Sequence, residues 1–247
     1  MPNIYISPST QEYNPYITGS GSEEYWMNQI ADAMEPYLRA NTIRFTRNTP
    51  DMTAASSIAQ AARGSYDFYL ALHSNASGDG STEGRQRGII AFYYPGSAGG
   101  QRGAELIAKN LREIYPLPDK VTTRPTTALG EVSRSRFPAV LVEIGYHDNY
   151  SDALWLESHV EDVARQLVKA LTEYFGLPFI PPMDPKRGTV RLSYGTLNLR
   201  STPSPAGTVI ANLPNGAEVT VYGEWNGWYV VQYGDQVGYA AAAYIDV

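Results

Sequence analysis

The sequence contains no cysteine among its 247 residues and only three histidines. Without cysteine the chain forms no disulfide bond and offers no thiolate to a metal ion. Any metal site must therefore use histidine, carboxylate, amide or hydroxyl groups. A long apolar run is also lacking, and we expect no membrane insertion.

Positive charge is in short supply as well. The formal net charge is -6 and the calculated pI is about 5.1. Because nucleic-acid binding usually needs a basic surface, we expect no nucleic-acid partner. The first eight residues show no basic stretch followed by an apolar run, so we expect no secretory signal. The length suits one domain of moderate size plus a small one, and we expect a monomer.

Two apolar runs of strand length end in side chains that can bind a metal ion or transfer a proton. Residues 67–72 lead into His73, and residues 138–142 lead into Glu143 just before a glycine. Alone, a histidine at a strand end is commonly a half-exposed polar residue. Because open α/β sheets place their sites at the carboxyl ends of strands, the two runs together predict a metal or acid/base site.

A helix is predicted to begin near Ser20 or Ser22 and to carry an apolar stripe. Glu24 lies three residues before Met27, on the same predicted face as the stripe. A carboxylate on that face requires a partner, since burying an unpaired charge is costly. The pattern leaves two interpretations open, a ligand role for Glu24 or stabilisation of the helix dipole, which suits Glu23 equally well.

Strands alternate with helices up to about residue 176, and residues 116–137 read as loop. This alternation predicts an α/β domain over residues 1–178, with a mostly parallel sheet covered by helices on both faces. Residues 179–188 are rich in proline and predict a semi-rigid linker. Short alternating runs separated by turn residues over 189–247 predict a small all-β barrel.

Four short motifs carry a resemblance over about residues 3–176: Glu24 preceding Asn28 at the opening of the first helix, Thr46-Arg47, His73-Ser74-Asn75-Ala76, and the run from Glu143 to Asn149. In their order and spacing they resemble the zinc-dependent N-acetylmuramoyl-L-alanine amidases (amidase type 3 family) of bacteria and phages. The run from Leu197 to Ser204 and the later Asn226-Gly227-Trp228 are similar to bacterial SH3-like wall-binding modules.

The resemblance implies a zinc ion, with Glu24 and His73 as ligands and Glu143 as general base. The family's first loop carries a histidine ligand, whereas this chain has Ser7-Pro8-Ser9-Thr10-Gln11 and no histidine there. We expect Gln11 to replace it through its amide oxygen, with Glu12 as the next candidate. An amide oxygen is a poorer zinc ligand than imidazole.

The same resemblance implies that the substrate is peptidoglycan, cut between N-acetylmuramic acid and L-alanine, while the SH3-like module holds the wall peptide. We expect Asn75, Glu131, Arg134 and His147 on the substrate side, with His147 or Arg134 near the oxyanion. The layout predicts an enzyme that acts on the extracellular wall after release as a phage or prophage endolysin. Two alternatives remain open, a non-catalytic wall-binding protein and a hydrolase of a different amide.

Overall fold

The computed structural model describes residues 1–78 and 82–247. The chain divides into two compact units. The larger comprises residues 2–34 and 45–175, and the smaller comprises Met1, residues 35–44 and residues 176–247.

A six-stranded sheet forms the centre of the larger unit, in the order β2-β1-β3-β6-β4-β5. The strands are β1 (Asn3–Pro8), β2 (Arg44–Arg47), β3 (Phe68–Asn75), β4 (Ile89–Tyr93), β5 (Val121–Pro125) and β6 (Ala139–Tyr146). β1, β3 and β6 pair in parallel, as do β4 and β5, whereas β4 runs antiparallel to β6. The sheet is therefore mostly parallel, as the sequence predicted.

Six helices accompany this sheet within the described part of the chain. They are α1 (Glu23–Ala40), α2 (Ala54–Ala61), α3 (Ala98–Arg112), α4 (Gly130–Ser133), α5 (Tyr150–Ser158) and α6 (Val160–Phe175). Met27, Ile30 and Met34 of α1 are completely buried, which confirms the predicted apolar stripe. None of the described helices is long and apolar enough to cross a membrane.

Strand alternation decides which side chains reach the site. Tyr69 and Ala71 of β3 pack with Leu141 of β6 against α2 and α4. Because side chains two residues apart share a face of a strand, His73 and Glu143 continue this same face. The two are direct partners in the β3–β6 register, so the sheet delivers an imidazole and a carboxylate side by side.

The predicted loop at 116–137 contains three elements that the sequence pattern did not indicate, a short 3-10 helix at Pro118–Lys120, β5 and α4. β5 is an edge strand whose residues Thr122, Thr123 and Arg124 are polar, so it lacks the apolar run used to recognise strands. α4 has only four residues, too few to show helical periodicity. The omission matters because α4 carries Glu131.

The smaller unit contains a seven-stranded sheet in the order β13-β7-β10-β11-β12-β8-β9, with antiparallel pairing between its neighbouring strands. Its strands are β7 (Lys186–Val190), β8 (Thr196–Arg200), β9 (Val209–Pro214), β10 (Glu218–Trp225), β11 (Trp228–Tyr233), β12 (Gln236–Ala241) and β13 (Ile245–Asp246). Leu199, Val221 and Val231 lie in its core. The first strand begins at Lys186, within the stretch predicted as linker.

The linker in this unit is anchored at Ile180, which is completely buried. The Ile180 N–H donates to the Asn41 side-chain oxygen at 2.7 Å, and the Asn41 amide donates back to the Ile180 carbonyl at 2.9 Å. Ile180 also packs with Val230 and Tyr239. This stretch is therefore held by specific contacts as well as by the stiffness of its prolines.

Candidate active site

His73 lies at the end of β3 with a carboxylate on each edge of its ring. Its Nδ1 is 2.8 Å from Glu23 Oε1, and its Nε2 is 2.8 Å from Glu131 Oε2. Both carboxylates are almost completely buried. The two hydrogen bonds fix the plane of the imidazole, so the ring has one defined orientation.

Glu23 reaches His73 because the loop before α1 folds back on the first turn of the helix. The Glu23 N–H donates to the Asn14 carbonyl at 2.9 Å, and the Asn14 amide donates to Glu23 Oε2 at 2.7 Å. Glu24, which we predicted as the ligand, instead lines a separate surface cleft with Asn28 and Arg47. The structure thus places Glu23, and not Glu24, in contact with His73.

Helical geometry explains why Glu23 reaches His73 and Glu24 does not. Residues three and four positions apart lie on the same helix face, so Glu24 and Glu23 are both compatible with the stripe that contains Met27. α1 begins at Glu23, and its first residue is the one that turns inward. Glu23 is only 2% exposed, whereas Glu24 is half-buried.

Gln11 completes a triangle with these two groups. Its Nε2 lies 3.4 Å from Glu23 Oε1 and 3.4 Å from His73 Nδ1. Its oxygen accepts hydrogen bonds from Tyr13 and Asn14. A half-turn of the terminal amide exchanges the oxygen and nitrogen, which would direct the oxygen toward the triangle. Glu12, the second candidate from the sequence, is exposed.

The spacing of the triangle is compatible with a zinc ion. Tetrahedral zinc with bonds of about 2.1 Å separates its ligand atoms by about 3.4 Å. Two edges of the triangle have that length, and the edge between Glu23 and His73 is shorter. No group of three or more His, Asp or Glu side chains in residues 1–78 and 82–247 is arranged to hold a metal ion. The amide of Gln11 is therefore the third protein donor that this geometry offers.

Glu143 is the carboxylate beside His73 that has an unused oxygen. Its Oε2 is buried and has no hydrogen-bond partner within the described part of the chain. Burial raises the pKa of Glu143 to about 7; attraction to His73 opposes this shift, and repulsion from Glu23 and Glu131 reinforces it. A carboxyl group with a pKa near neutrality both accepts and returns a proton readily, which suits general acid–base catalysis.

The protonation of His73 depends on its two carboxylate partners, Glu23 and Glu131. Burial disfavours the charged imidazole, but the hydrogen bonds with Glu131 and Glu23 outweigh burial and raise the pKa of His73 well above its usual value. For Glu23, burial acts to raise the pKa, but the hydrogen bond and the attraction to His73, together with hydrogen bonds from Asn14 and Ser9, outweigh burial and lower the pKa below its usual value. Each partner therefore stabilises the charged form of the other.

A cavity of about 280 Å³ opens beside the ring. Its lining includes His73 and Glu131, together with Gln11, Tyr13 and Asn48. This volume lies slightly below the usual range of small-ligand sites. Glu23 and Glu143 do not line the cavity, which therefore reaches His73 from the side of Glu131.

The remaining predicted substrate residues have different surroundings. His147 is buried, with its ring 5.7 Å from that of Tyr16 and its Nδ1 2.9 Å from the Ser74 carbonyl. Asn75 is half-buried and accepts from the Ala76 N–H. Arg134 is exposed at the end of α4. These contacts point to local structural roles, and none of the three lines the cavity beside His73.

An α/β sheet whose strand ends bring together an imidazole, buried carboxylates and an unpaired carboxylate of raised pKa has the groups that a hydrolytic enzyme uses. Residues 4–173 match the family model of N-acetylmuramoyl-L-alanine amidase, and residues 195–246 match that of the bacterial SH3 domain. The first match spans more than half of the chain, which therefore belongs to the N-acetylmuramoyl-L-alanine amidase family.

Solved structures with a similar fold have low sequence identity to this chain. The catalytic domain of CwlV, an N-acetylmuramoyl-L-alanine amidase from Bacillus (Paenibacillus) polymyxa var. colistinus, is 18% identical with a TM-score of 0.61, and the match covers 72% of this chain and 100% of that one. The amidase AmiC2 of Nostoc punctiforme is 16% identical with a TM-score of 0.60, covering 70% and 97% respectively.

A third similar structure is the catalytic domain of the CD27L endolysin targeting Clostridia difficile. It is 18% identical with a TM-score of 0.57, and the match covers 70% of this chain and 98% of that one. Comparison with curated protein sequences gives no match. The family, the enzyme class and the fold predicted from the sequence are confirmed.

Proposed function

We propose that this N-acetylmuramoyl-L-alanine amidase works as a zinc enzyme whose metal is held by Gln11, Glu23 and His73. Its substrate is the amide between the lactyl group of N-acetylmuramic acid and L-alanine. When bound, zinc supplies Lewis-acid chemistry for hydrolysis of this amide. The support is the triangle of side chains at the end of β3, in which both distances from Gln11 match the ligand spacing of tetrahedral zinc and the distance from Glu23 to His73 is shorter.

Glu143 is the general base in this proposal. It accepts a proton from the attacking water at the buried Oε2 and later delivers that proton to the departing nitrogen of L-alanine. The observation that carries the assignment is the unpartnered Oε2, located beside the register partner His73. The other carboxylates of the site, Glu23 and Glu131, each contact a nitrogen of His73 and have no comparable freedom.

Purified protein with equimolar zinc provides the direct test. Cell walls incubated with it should release new amino termini belonging to L-alanine, and elemental analysis should find about one zinc per chain. Protein that binds zinc but exposes a different amino-terminal residue would contradict the cleavage site. Protein that binds walls and releases no amino termini would support the alternative of a non-catalytic wall-binding protein.

We further propose that the barrel recognises the wall peptide in a groove of about 450 Å³. The groove is lined by Arg191 and Arg200, with Tyr194, Trp228 and Tyr244 as aromatic walls. Guanidinium groups suit the carboxylates of a peptide, and exposed aromatic rings suit its apolar surface. Tyr194 is 90% exposed, so contact with a ligand is available to nearly all of its side chain.

We also propose that the protein acts on the extracellular wall as a monomeric endolysin. The layout of amidase and SH3 domain supports this role, as does the likeness in fold to an endolysin catalytic domain. Induction of a phage carrying the gene should then coincide with wall cleavage at lysis. A phage lacking the gene that lyses its host on the same schedule would count against the role, and light scattering of the purified chain would test the monomer.

A further inference from the structure

We infer that Glu131 is a positioning residue that holds the His73 proton on Nε2 and so leaves Nδ1 free to bind the metal. This inference rests on the proposed zinc site at Nδ1. The sequence analysis assigned Glu131 to the substrate side. The geometry points to a different role, because Glu131 Oε2 is hydrogen-bonded to His73 Nε2 at 2.8 Å.

The two ring nitrogens give Glu23 and Glu131 different roles. Nδ1 and Nε2 point toward opposite edges of an imidazole, so one ion cannot contact both. Glu23 and Gln11 both lie at the Nδ1 edge, whereas Glu131 lies at the Nε2 edge. A metal held by the first group therefore excludes Glu131 as a ligand and leaves it to act through His73.

The Glu131 carboxylate is itself held from the sheet. Its Oε1 accepts hydrogen bonds from the Ser7 hydroxyl at 2.6 Å and from the Tyr69 hydroxyl at 2.8 Å. Burial raises the pKa of the Tyr69 phenol, so this group remains a proton donor over the usual pH range. With Oε1 occupied by two donors, Oε2 is directed to His73.

The consequence for His73 follows from the hydrogen-bonding capacity of a neutral imidazole. Such a ring carries a single N–H, and the other nitrogen carries the lone pair that binds a metal. A carboxylate that accepts from Nε2–H selects that tautomer and increases the basicity of the ligating nitrogen. The proposed Gln11 ligand binds zinc through an amide oxygen, which is a weaker ligand than the family's histidine. The zinc affinity of this chain therefore depends more strongly on the basicity of His73.

Zinc affinity and the His73 N–H signal test the inference together. Glu131→Gln keeps the shape of the side chain but no longer favours one tautomer, since an amide both donates and accepts. Loss of such a partner typically weakens metal affinity by about 10–100-fold. We expect that loss in a chelator competition assay. In nitrogen-15 NMR spectra of the zinc-loaded protein, the Nε2–H signal of His73 should weaken or vanish.

Glu157→Gln is the matched control, because Glu157 also accepts from two hydroxyl groups, those of Thr18 and Ser20. It should leave zinc affinity and the His73 signal unchanged. Assignment is practical because the chain has three histidines. An affinity within about twofold of the wild type, together with an unchanged Nε2–H signal in Glu131→Gln, would overturn the inference.

A second variant decides the matter if Glu131→Gln does not fold. Ser7→Ala removes one of the donors that hold Glu131 and leaves the carboxylate in place. We expect a smaller loss of zinc affinity and a broadened His73 signal, and no change in either would overturn the inference. Wild-type protein that binds no zinc would reject the proposed metal site itself, whereas wild-type binding with unaffected variants would reject only the role of Glu131.

Discussion

The strand-end site of the larger unit and the groove of the barrel use opposite means of recognition. At the site, His73 is held between two buried carboxylates at 2.8 Å on each side, and little of its ring meets solvent. In the groove, Tyr194 and Tyr244 are exposed, and basic side chains line an open surface. Buried groups with fixed partners impose a geometry, whereas exposed groups supply contact area.

This difference predicts how substitutions will act. In the site, loss of one atom changes charge or proton transfer in a water-poor environment, and its effect spans orders of magnitude. In the groove, several exposed side chains share the contact with a ligand, so single losses are smaller.

Glu143→Gln should reduce the rate of amide hydrolysis by about 10²-fold or more, because glutamine keeps the shape but accepts no proton from water. Release of L-alanine amino termini from purified walls measures the rate, and zinc content confirms that the metal site is intact. Glu24→Gln is the control, and its rate should stay close to that of the wild type. Near-native turnover of Glu143→Gln would place the base elsewhere, with His147 and Glu12 next to be tested.

The neighbouring carboxylates Glu23 and Glu24 allow a sharper comparison within one helix turn. Glu23→Gln should weaken zinc affinity by about tenfold or more, since it removes an anionic ligand, whereas Glu24→Gln should change it less than twofold. Calorimetric titration with zinc measures both variants under the same conditions. The reverse order of effects would restore Glu24 as the ligand, as the sequence alone suggested.

Glu143 should also lower the stability of the metal-free protein as pH rises. Its pKa is raised from 4.5 to about 7 in the folded chain, so the folded state binds more protons than the unfolded state between these values. The contribution of Glu143 to the free energy of unfolding is therefore fully present below about pH 4.5. It is lost as pH rises through 7, and the loss is at most about 3 kcal/mol.

Urea unfolding at pH 5 and pH 8 would test this effect, with Glu143→Gln as the comparison because it removes only this titration. The variant should be the more stable protein at pH 8, and its advantage should shrink at pH 5. An equal difference in unfolding free energy at both pH values would contradict the raised pKa. Metal must be removed with a chelator before each measurement, because bound zinc changes the charge beside Glu143.

Tyr194→Ala should have the smallest effect, a loss of wall binding of about tenfold or less. Tyr194 contributes exposed aromatic area, and the rest of the groove remains. A pull-down of the whole protein with purified walls measures the bound fraction, and Tyr94→Ala, at an exposed tyrosine outside both the groove and the site, controls for surface change. Unchanged wall binding of Tyr194→Ala would contradict the proposal that this groove binds the wall peptide.

The sequence predicted most of the fold, and it indicated some members of the candidate site and not others, for identifiable reasons. His73 and Glu143 were accessible because each ends an apolar strand, a local pattern that a single sequence displays. The choice between Glu23 and Glu24 depended on the residue at which α1 begins, and helix boundaries are poorly encoded by periodicity. Glu131 reaches His73 across 58 residues of chain from a four-residue helix, so no local pattern indicated that contact.

The anchored linker has a consequence for dissecting the protein by proteolysis or truncation. Ile180 exchanges two hydrogen bonds with Asn41 and also packs on Val230 and Tyr239, so its amide should exchange slowly with deuterated solvent. A break before it separates Asn41 from Ile180 and leaves only the bond to the Tyr37 carbonyl, and a break after it opens the apolar cluster around Tyr239. Either fragment exposes groups that the intact chain buries, so neither break is silent. Asp184 and Pro185 are exposed and precede strand β7, so a protease should cut on the amino-terminal side of β7 before it cuts within the strand.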